Sequence, residues 1–341
     1  MTQKLKDEAI LAPANGVTLI DVAKVAGVSP ITVSRALHKP EVVSEQTRQK
    51  VQQAVEQVGY IPNMLAGGLA SRQTKLVAIL VPTISHSIFA DLLKAAMDGL
   101  SEAGYQSLLG ITDYSVDKEE QLLGTILGRR PDAIVLTGTE HTTLTRKRLG
   151  ASGVPVVEAW DWTDDPIDML VGFSHEAVGT AMAQHLYEKG YRRFAGLFVS
   201  DNRAMRRCHA FYEALSVLGI EADDAVVMSP PASLKEGREG MRELLARDTR
   251  PEVVVCSSDT LAQGVLAEAA EQGLQVPSDI AVMGFGDMAN ASQLHPALST
   301  VRLDSARVGA LIADALLKRF EDQRSCVRLD MGFELIDRQS T

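Results

Sequence analysis

Cysteine is scarce in this chain of 341 residues. Cys208, Cys256 and Cys326 stand far apart, outside any CxxC or Cys/His cluster. That argues against a disulfide framework and a zinc finger, and fits a reducing compartment. No apolar run approaches the roughly 20 residues that span a bilayer. The opening Thr-Gln-Lys-Leu-Lys-Asp-Glu lacks the apolar centre of a signal peptide. A cytoplasmic protein with no membrane partner is expected. The chain also has no GxGxxG, no P-loop and no GxSxG. Gly-Phe-Gly-Asp at 284–287 lacks the third glycine and the helix of a dinucleotide site. No His/Asp/Glu cluster has metal spacing and no nucleophile stands beside a base. Neither a cofactor, a metal nor a catalytic residue is therefore expected, and an enzyme on a doubly wound sheet is the weaker alternative.

Net positive charge is missing too, since the chain carries a formal −10. It is unevenly spread. Residues 1–75 hold nine Lys/Arg against six Asp/Glu, a net of +3, and the remainder carries −13. A small basic head on an acidic body suits phosphate contact by the head alone, with two heads acting together.

In that head, residues 18–37 read as a helix-turn-helix. Leu19, Val22, Ala23 and Val25 follow Thr18 at helical spacing, and Thr18 is a good N-cap. Gly27 tolerates the left-handed turn. Ser29 caps a second helix whose first turn accepts Pro30. Val33 and Leu37 share its packing face. Pro30, Ile31, Thr32, Ser34 and Arg35 lie toward its N-terminus or exposed side, where a recognition helix meets bases and phosphates. A third helix opens at Ser44-Glu45, buries Val51, Ala54, Val55 and Val58, and ends at Gly59. An ordinary helical hairpin is the bland alternative. The expected domains are a head at 1–62, a hinge at 63–73 and a core at 74–341. Gly67 and Gly68 disfavour a helix in the hinge, at about 1 kcal/mol each. This segment is expected to be unfolded alone and helical only on DNA; a plain flexible linker, which Gly-Gly supports equally well, is the alternative.

The core alternates strands with helices. Strands are expected at 76–81, 106–110, 133–137, 154–158, 194–199, 225–228, 253–257 and 280–285. Helices are expected near 88–103, 118–129, 175–189, 205–218, 234–247, 260–272 and 304–320. Such alternation means doubly wound parallel sheets. A break near 160–174 splits it into two α/β lobes around a cleft, and ligands bind at the carboxyl ends of such strands. Polar groups collect there: Ser85, His86 and Ser87 with Phe89; Glu158, Trp160, Asp161 and Trp162; Asp201, Asn202, Arg203, Arg206 and Arg207; Ser257, Ser258 and Asp259; and Asp287. His86 and His175 are expected on surface or cleft loops, and Asp259 reads equally as a helix cap or a ligand contact. Three arginines at one helix start oppose the local dipole, which favours an anion facing them. A carboxylate held bidentately fits.

Taken together, the chain resembles the LacI/GalR family of bacterial transcriptional repressors, from about Val17 to Arg338. The matching pieces are TLIDVAKVAGVS (18–29), TVSRAL (32–37), GYIPN (59–63), GLQVPSDIAVMGF (273–285) and HPALSTV (295–301). VPVVE (154–158), VGF (171–173) and SHSIFA (85–90) make it most similar to the gluconate-operon repressor branch. The resemblance implies an all-α helix-turn-helix head with a hinge helix, joined to a two-lobed periplasmic-binding-protein-like core. It implies a homodimer on double-stranded palindromic operator DNA. Without a heptad tail, a dimer is expected over a tetramer. Residues 30, 31 and 35 would read bases, with Arg35 on guanine and the apolar Pro30-Ile31 on thymine methyls. Thr18, Leu19, Ser29, Thr32, Ser34, Ser44, Thr47, Tyr60, Asn63 and Ala66 would touch phosphates or position the helices, and Leu69 would wedge into the minor groove.

The chain departs from the family at Gly67-Gly68, at Gly286 where an acid is usual, and at Ser258 where Asn is usual. The implied effector set is Ser87, Phe89, Glu158, Trp160, Arg203, Arg207, Ser258 and Asp287. Phe89 and Trp160 would cover a sugar face. A small sugar acid, gluconate or a derivative, is the expected effector; 2-ketogluconate, a neutral sugar and a nucleobase are the alternatives.

Overall fold

The computed structural model describes residues 16–61, 73–322 and 325–341. The chain divides into two compact units, Met1–Thr74 and Lys75–Thr341. The first is built on α1 (Leu19–Ala26), α2 (Pro30–His38) and α3 (Glu45–Val58). The Asp21 carboxylate accepts from both the Thr18 N–H (3.0 Å) and its hydroxyl (2.6 Å), which closes the start of α1. Gly27 (φ 67°) and Gly59 (φ 66°) end α1 and α3 in the left-handed region. Ser29 and Ser44 cap α2 and α3 by accepting from the Thr32 and Thr47 amides. Val22, Ala23, Val33, Val51 and Ala54 form the buried centre. Leu19, Leu37, Val55, Val58 and Tyr60 pack around it.

The second unit contains β1 (Leu76–Val81), β2 (Gln106–Ile111), β3 (Ala133–Thr137), β4 (Val156–Ala159) and β5 (Met169–Gly172). It continues with β6 (Phe194–Val199), β7 (Val226–Met228), β8 (Val253–Cys256), β9 (Ala281–Met283), β10 (Thr300–Arg302), β11 (Arg328–Asp330) and β12 (Glu334–Ile336). Its helices are α4 (Ser87–Glu102), α5 (Val116–Leu127), α6 (Thr143–Ser152), α7 (His175–Glu188), α8 (Asn202–Val217), α9 (Leu234–Leu245), α10 (Asp259–Glu271) and α11 (Ser305–Glu321). One sheet runs β11-β5-β4-β3-β1-β2 and another β7-β6-β8-β9, all parallel; β10 and β12 form an antiparallel pair. Both faces of the first sheet are covered, as parallel sheets require. Val77, Ile79 and Val81 of β1 join one apolar cluster, and Ala78 and Leu80 join the other.

The two-lobed α/β core is as expected, with local differences, among them the short strands β10, β11 and β12, which were not expected. The segment expected as a break at 160–174 contains β5, so the chain leaves the first lobe only after Gly172. α6 was not expected, because its run TLTRKRLGAS has no clear apolar stripe. α11, which follows the second set of strands, returns to the first lobe and lies along α4. There the helices approach so closely that a Cβ on Gly309 would sit 2.2 Å from the Leu92 carbonyl oxygen. The chain thus passes between lobes after β5, after β10 and between β11 and β12. Among the described residues, no helix is long and apolar enough to cross a membrane.

Candidate functional site

On the head, α2 presents Pro30, Ile31 and Arg35 to solvent, and Ile31 is 65% exposed. An isoleucine so exposed beside a small core is unexplained by packing. Thr32 and Ser34 are half-buried on the same helix. The Ser29 and Thr32 hydroxyls pair at 2.9 Å, as do those of Ser44 and Thr47, also at 2.9 Å. Two helix N-termini therefore carry the same cap of paired hydroxyls, at the end of a helix where phosphate oxygens bind. Thr18 is exposed at the start of α1. Leu19 and Tyr60 pack on the core of the head, which makes them positioning groups. Asn63, Ala66 and Leu69, with most of the expected hinge, lie outside the described residues.

In the core, the strand ends of the two lobes enclose a cavity of about 460 Å³, its open mouth included. Phe89, Trp160, Arg203, Arg207 and Ser258 line it together. Phe89 and Trp160 form an apolar wall, with ring centroids 5.7 Å apart. Trp160 adopts φ 65°, at the point where the chain turns out of β4. Sequence reasoning missed Phe285 and Tyr114 as wall residues. Tyr114 follows β2 in a turn at φ 61°, so the strand-end rule, applied to β2 as well, would have found it.

The electrostatics are set by α8. Asp201 caps it, accepting from the amides of Arg203 and Ala204. Arg206 turns to the buried Asp161 carboxylate, which also accepts from Thr139 (3.0 Å), and so is neutralised. Arg207, 5% exposed, donates to neutral acceptors: His175 Nδ1 at 2.8 Å and the Ser257 carbonyl at 2.9 Å. Its guanidinium lies 3.8 Å from the Phe285 ring centre. Burial pushes its pKa down to about 10, so it remains a cation at neutral pH. His175 donates from Nε2 to the Trp160 carbonyl at 3.1 Å. Burial, then the arginines 207, 203 and 206, hold it well below the usual histidine range, so it is neutral. Among the described residues, Arg203 Nη1 is buried without a hydrogen-bond partner. The cavity thus holds Arg207, a buried cation bonded to neutral groups, and Arg203, whose Nε lies 3.7 Å from the Asp201 carboxylate while its Nη1 lacks a hydrogen-bond partner.

Several expected site residues lie elsewhere. Glu158 alternates with Val157 and Ala159 and points to the opposite face of its sheet, where it is fully buried against His141 Nε2 (3.3 Å) and the Ile167 amide. Asp287 is engaged by Arg302 Nε (2.7 Å) and Arg338 Nη2 (2.6 Å), and shares a separate pocket with Ser87. His175 is not on a loop but fully buried at the first position of α7. His86 lines the cavity and bonds the Ala232 carbonyl of the other lobe at 3.1 Å. Ser258 caps α10. Asp259 follows it inside the helix, where it accepts from Thr300 (2.6 Å) and the Met288 amide (2.7 Å).

Comparison with known proteins is consistent across the chain. Residues 18–63 match the bacterial regulatory proteins of the lacI family, and residues 183–341 match a periplasmic binding protein-like domain. The HTH-type transcriptional regulator GntR of Pseudomonas aeruginosa is 38% identical over 331 residues, 95% of each chain. A LacI family transcriptional regulator from Silicibacter pomeroyi superposes with a TM-score of 0.89 at 34% identity, over 95% of this chain and 100% of that one. The lac repressor dimer bound to operator and the anti-inducer ONPF gives a TM-score of 0.82 at 25% identity, over 95% and 99%.

Proposed function

The chain belongs to the lacI family of bacterial regulatory proteins and is a DNA-binding transcriptional regulator, and from that premise we propose that it is a dimeric repressor whose operator binding is controlled by a sugar acid, gluconate or a close derivative. The observation that carries the effector class is the pair Arg203 and Arg207. One has a buried, unpartnered Nη1, and the other is a buried cation bonded to neutral groups. An effector carboxylate would supply the missing charge, and charge-assisted pairs to Arg are the strong ones. Phe89 and Trp160 offer an apolar face to the carbon chain of the polyol.

On the head, Ile31 and Arg35 are proposed to read base edges. The Ser29/Thr32 and Ser44/Thr47 caps, with Thr18, are proposed to hold phosphates. A ligand seated between the lobes favours one lobe arrangement, and the core passes that preference to the heads through residues 63–73. Titration calorimetry of the full chain with gluconate, 2-ketogluconate and glucose tests the effector class. Micromolar binding of one acid, with glucose silent, supports it. Silence from both acids, or binding of glucose alone, refutes it. The binding acid is then added to an operator mobility-shift assay, where it must change operator affinity.

A further inference from the structure

A second cavity, about 470 Å³ with its open mouth, adjoins the first and shares Tyr114, Asp201 and Arg203 with it. Beyond Arg203 its character changes. Glu119, Glu140, Asp161 and Thr139 are among its lining residues, the Glu119 and Asp161 carboxylates buried behind the surface and Glu140 exposed at it. The nearby cations are already committed. Arg206 contacts Asp161, Glu176 and Glu140. The buried His141 is shared between Glu119 (2.6 Å) and Glu158 (3.3 Å). With Asp201, Glu158 and Glu176 included, six carboxylates face four cations: His141, Arg203, Arg206 and Arg207. Two of these cations, Arg203 and Arg207, are the groups proposed to take the effector's carboxylate.

We propose that this far cavity is the specificity subsite for the end of the effector remote from its carboxylate, and that it selects an uncharged polyol terminus against a phosphate or a second carboxylate. The inference rests on the sugar-acid reading above and deepens it to unphosphorylated monocarboxylates. Hydroxyl groups donate to carboxylate oxygens, so a polyol terminus finds its acceptor at Glu140, whose side chain is 48% exposed on the cavity rim. A terminal phosphate carries close to two negative charges and would meet an excess of like charge in a partly enclosed, poorly screened space. Like-charge juxtaposition of this kind is a common way to reject a near-identical ligand.

The test is calorimetric titration of the full chain with gluconate, 6-phosphogluconate and glucarate at one ionic strength. Gluconate is expected to bind at least about tenfold more tightly than either dianionic acid. The variant Glu140→Gln keeps the size of a side chain on the cavity rim and removes one charge. It is expected to narrow the gap between gluconate and 6-phosphogluconate by at least about threefold, which a merely steric exclusion would not allow. Equal or tighter binding of 6-phosphogluconate by the unaltered chain overturns the inference while leaving the sugar-acid reading intact. An unchanged gap in Glu140→Gln overturns the role of charge. Silence from all three acids overturns the sugar-acid reading, and this inference with it.

Discussion

Arg207→Met separates the ligand role of the buried cation from any structural one. Methionine fills a similar hydrocarbon volume and makes favourable contact with an aromatic ring, here Phe285, whose centre lies 3.8 Å from the guanidinium. Removing a desolvated cation that meets no carboxylate relieves a penalty of about 1–4 kcal/mol, by analogy with buried ion pairs replaced by apolar groups. Against this, His175 Nδ1 and the Ser257 carbonyl each lose a donor, at about 1–3 kcal/mol apiece. The midpoints, about 2.5 gained against about 4 lost, leave a net destabilisation of about 1–2 kcal/mol. For a unit of this size that is a shift in Tm of less than about 8 °C. The effector carboxylate, by contrast, loses a charge-assisted pair worth about 1.5–3 kcal/mol. That is a loss of roughly 10- to 150-fold in affinity. Differential scanning fluorimetry reads the first quantity and calorimetry with gluconate the second. A folded variant that binds gluconate within threefold of the unaltered chain would refute the assignment of Arg207 to the ligand. A fall in Tm well beyond this range would show that the cation is a structural anchor.

Three further outcomes are expected. Burial acts to lower the pKa of His141, but its bonds to Glu119 and Glu158 outweigh this and raise it to about 9. Its contribution to stability is therefore fully present below pH about 6.5 and lost as pH rises through about 9. Tm should fall across that window, and His141→Gln should flatten the fall; a flat profile in the unaltered chain contradicts the assignment. Arg35→Ala should weaken operator binding by about 1–3 kcal/mol and Ile31→Ala by less, both without a change in Tm, as measured by fluorescence anisotropy on a selected operator. Gly309→Ala would place a Cβ 2.2 Å from the Leu92 carbonyl oxygen and force α4 and α11 apart. A loss of about 1–3 kcal/mol is expected by chemical denaturation, and unchanged stability would mean that the two helices separate freely.

What was legible in the chain was local. The caps at Ser29 and Ser44, the left-handed turns at Gly27 and Gly59, and the apolar runs of β1, β3, β6 and β8 each depend on a few neighbouring residues, and the structure places them where the pattern does. β5 escaped, and so did the lobe to which the expected helix α11 belongs, because the reason for each is distant. β5 is four residues long and forms because β4 and β11 flank it. α11 belongs with the first lobe because glycine at 309 lets it lie against Leu92, more than two hundred positions away in the chain.

The same division runs through the site. Arg203 and Arg207 stand one helical turn apart, so a single face of α8 brings both to the cavity, and that was readable from spacing. Arg206, three positions after Arg203, is not set apart from them by spacing, and only the fold supplies the buried carboxylate of Asp161 that neutralises it. Glu158 and Asp287 were misplaced for one common reason. An acid at a strand end looks like a ligand group until its partner is known, and His141, Arg302 and Arg338 are contributed by other elements. Charge at a strand end therefore marks a functional group only when no other part of the fold answers it. By that measure, Arg207, answered only by neutral groups, and the unpartnered Nη1 of Arg203 carry more information than the acids that first drew the eye.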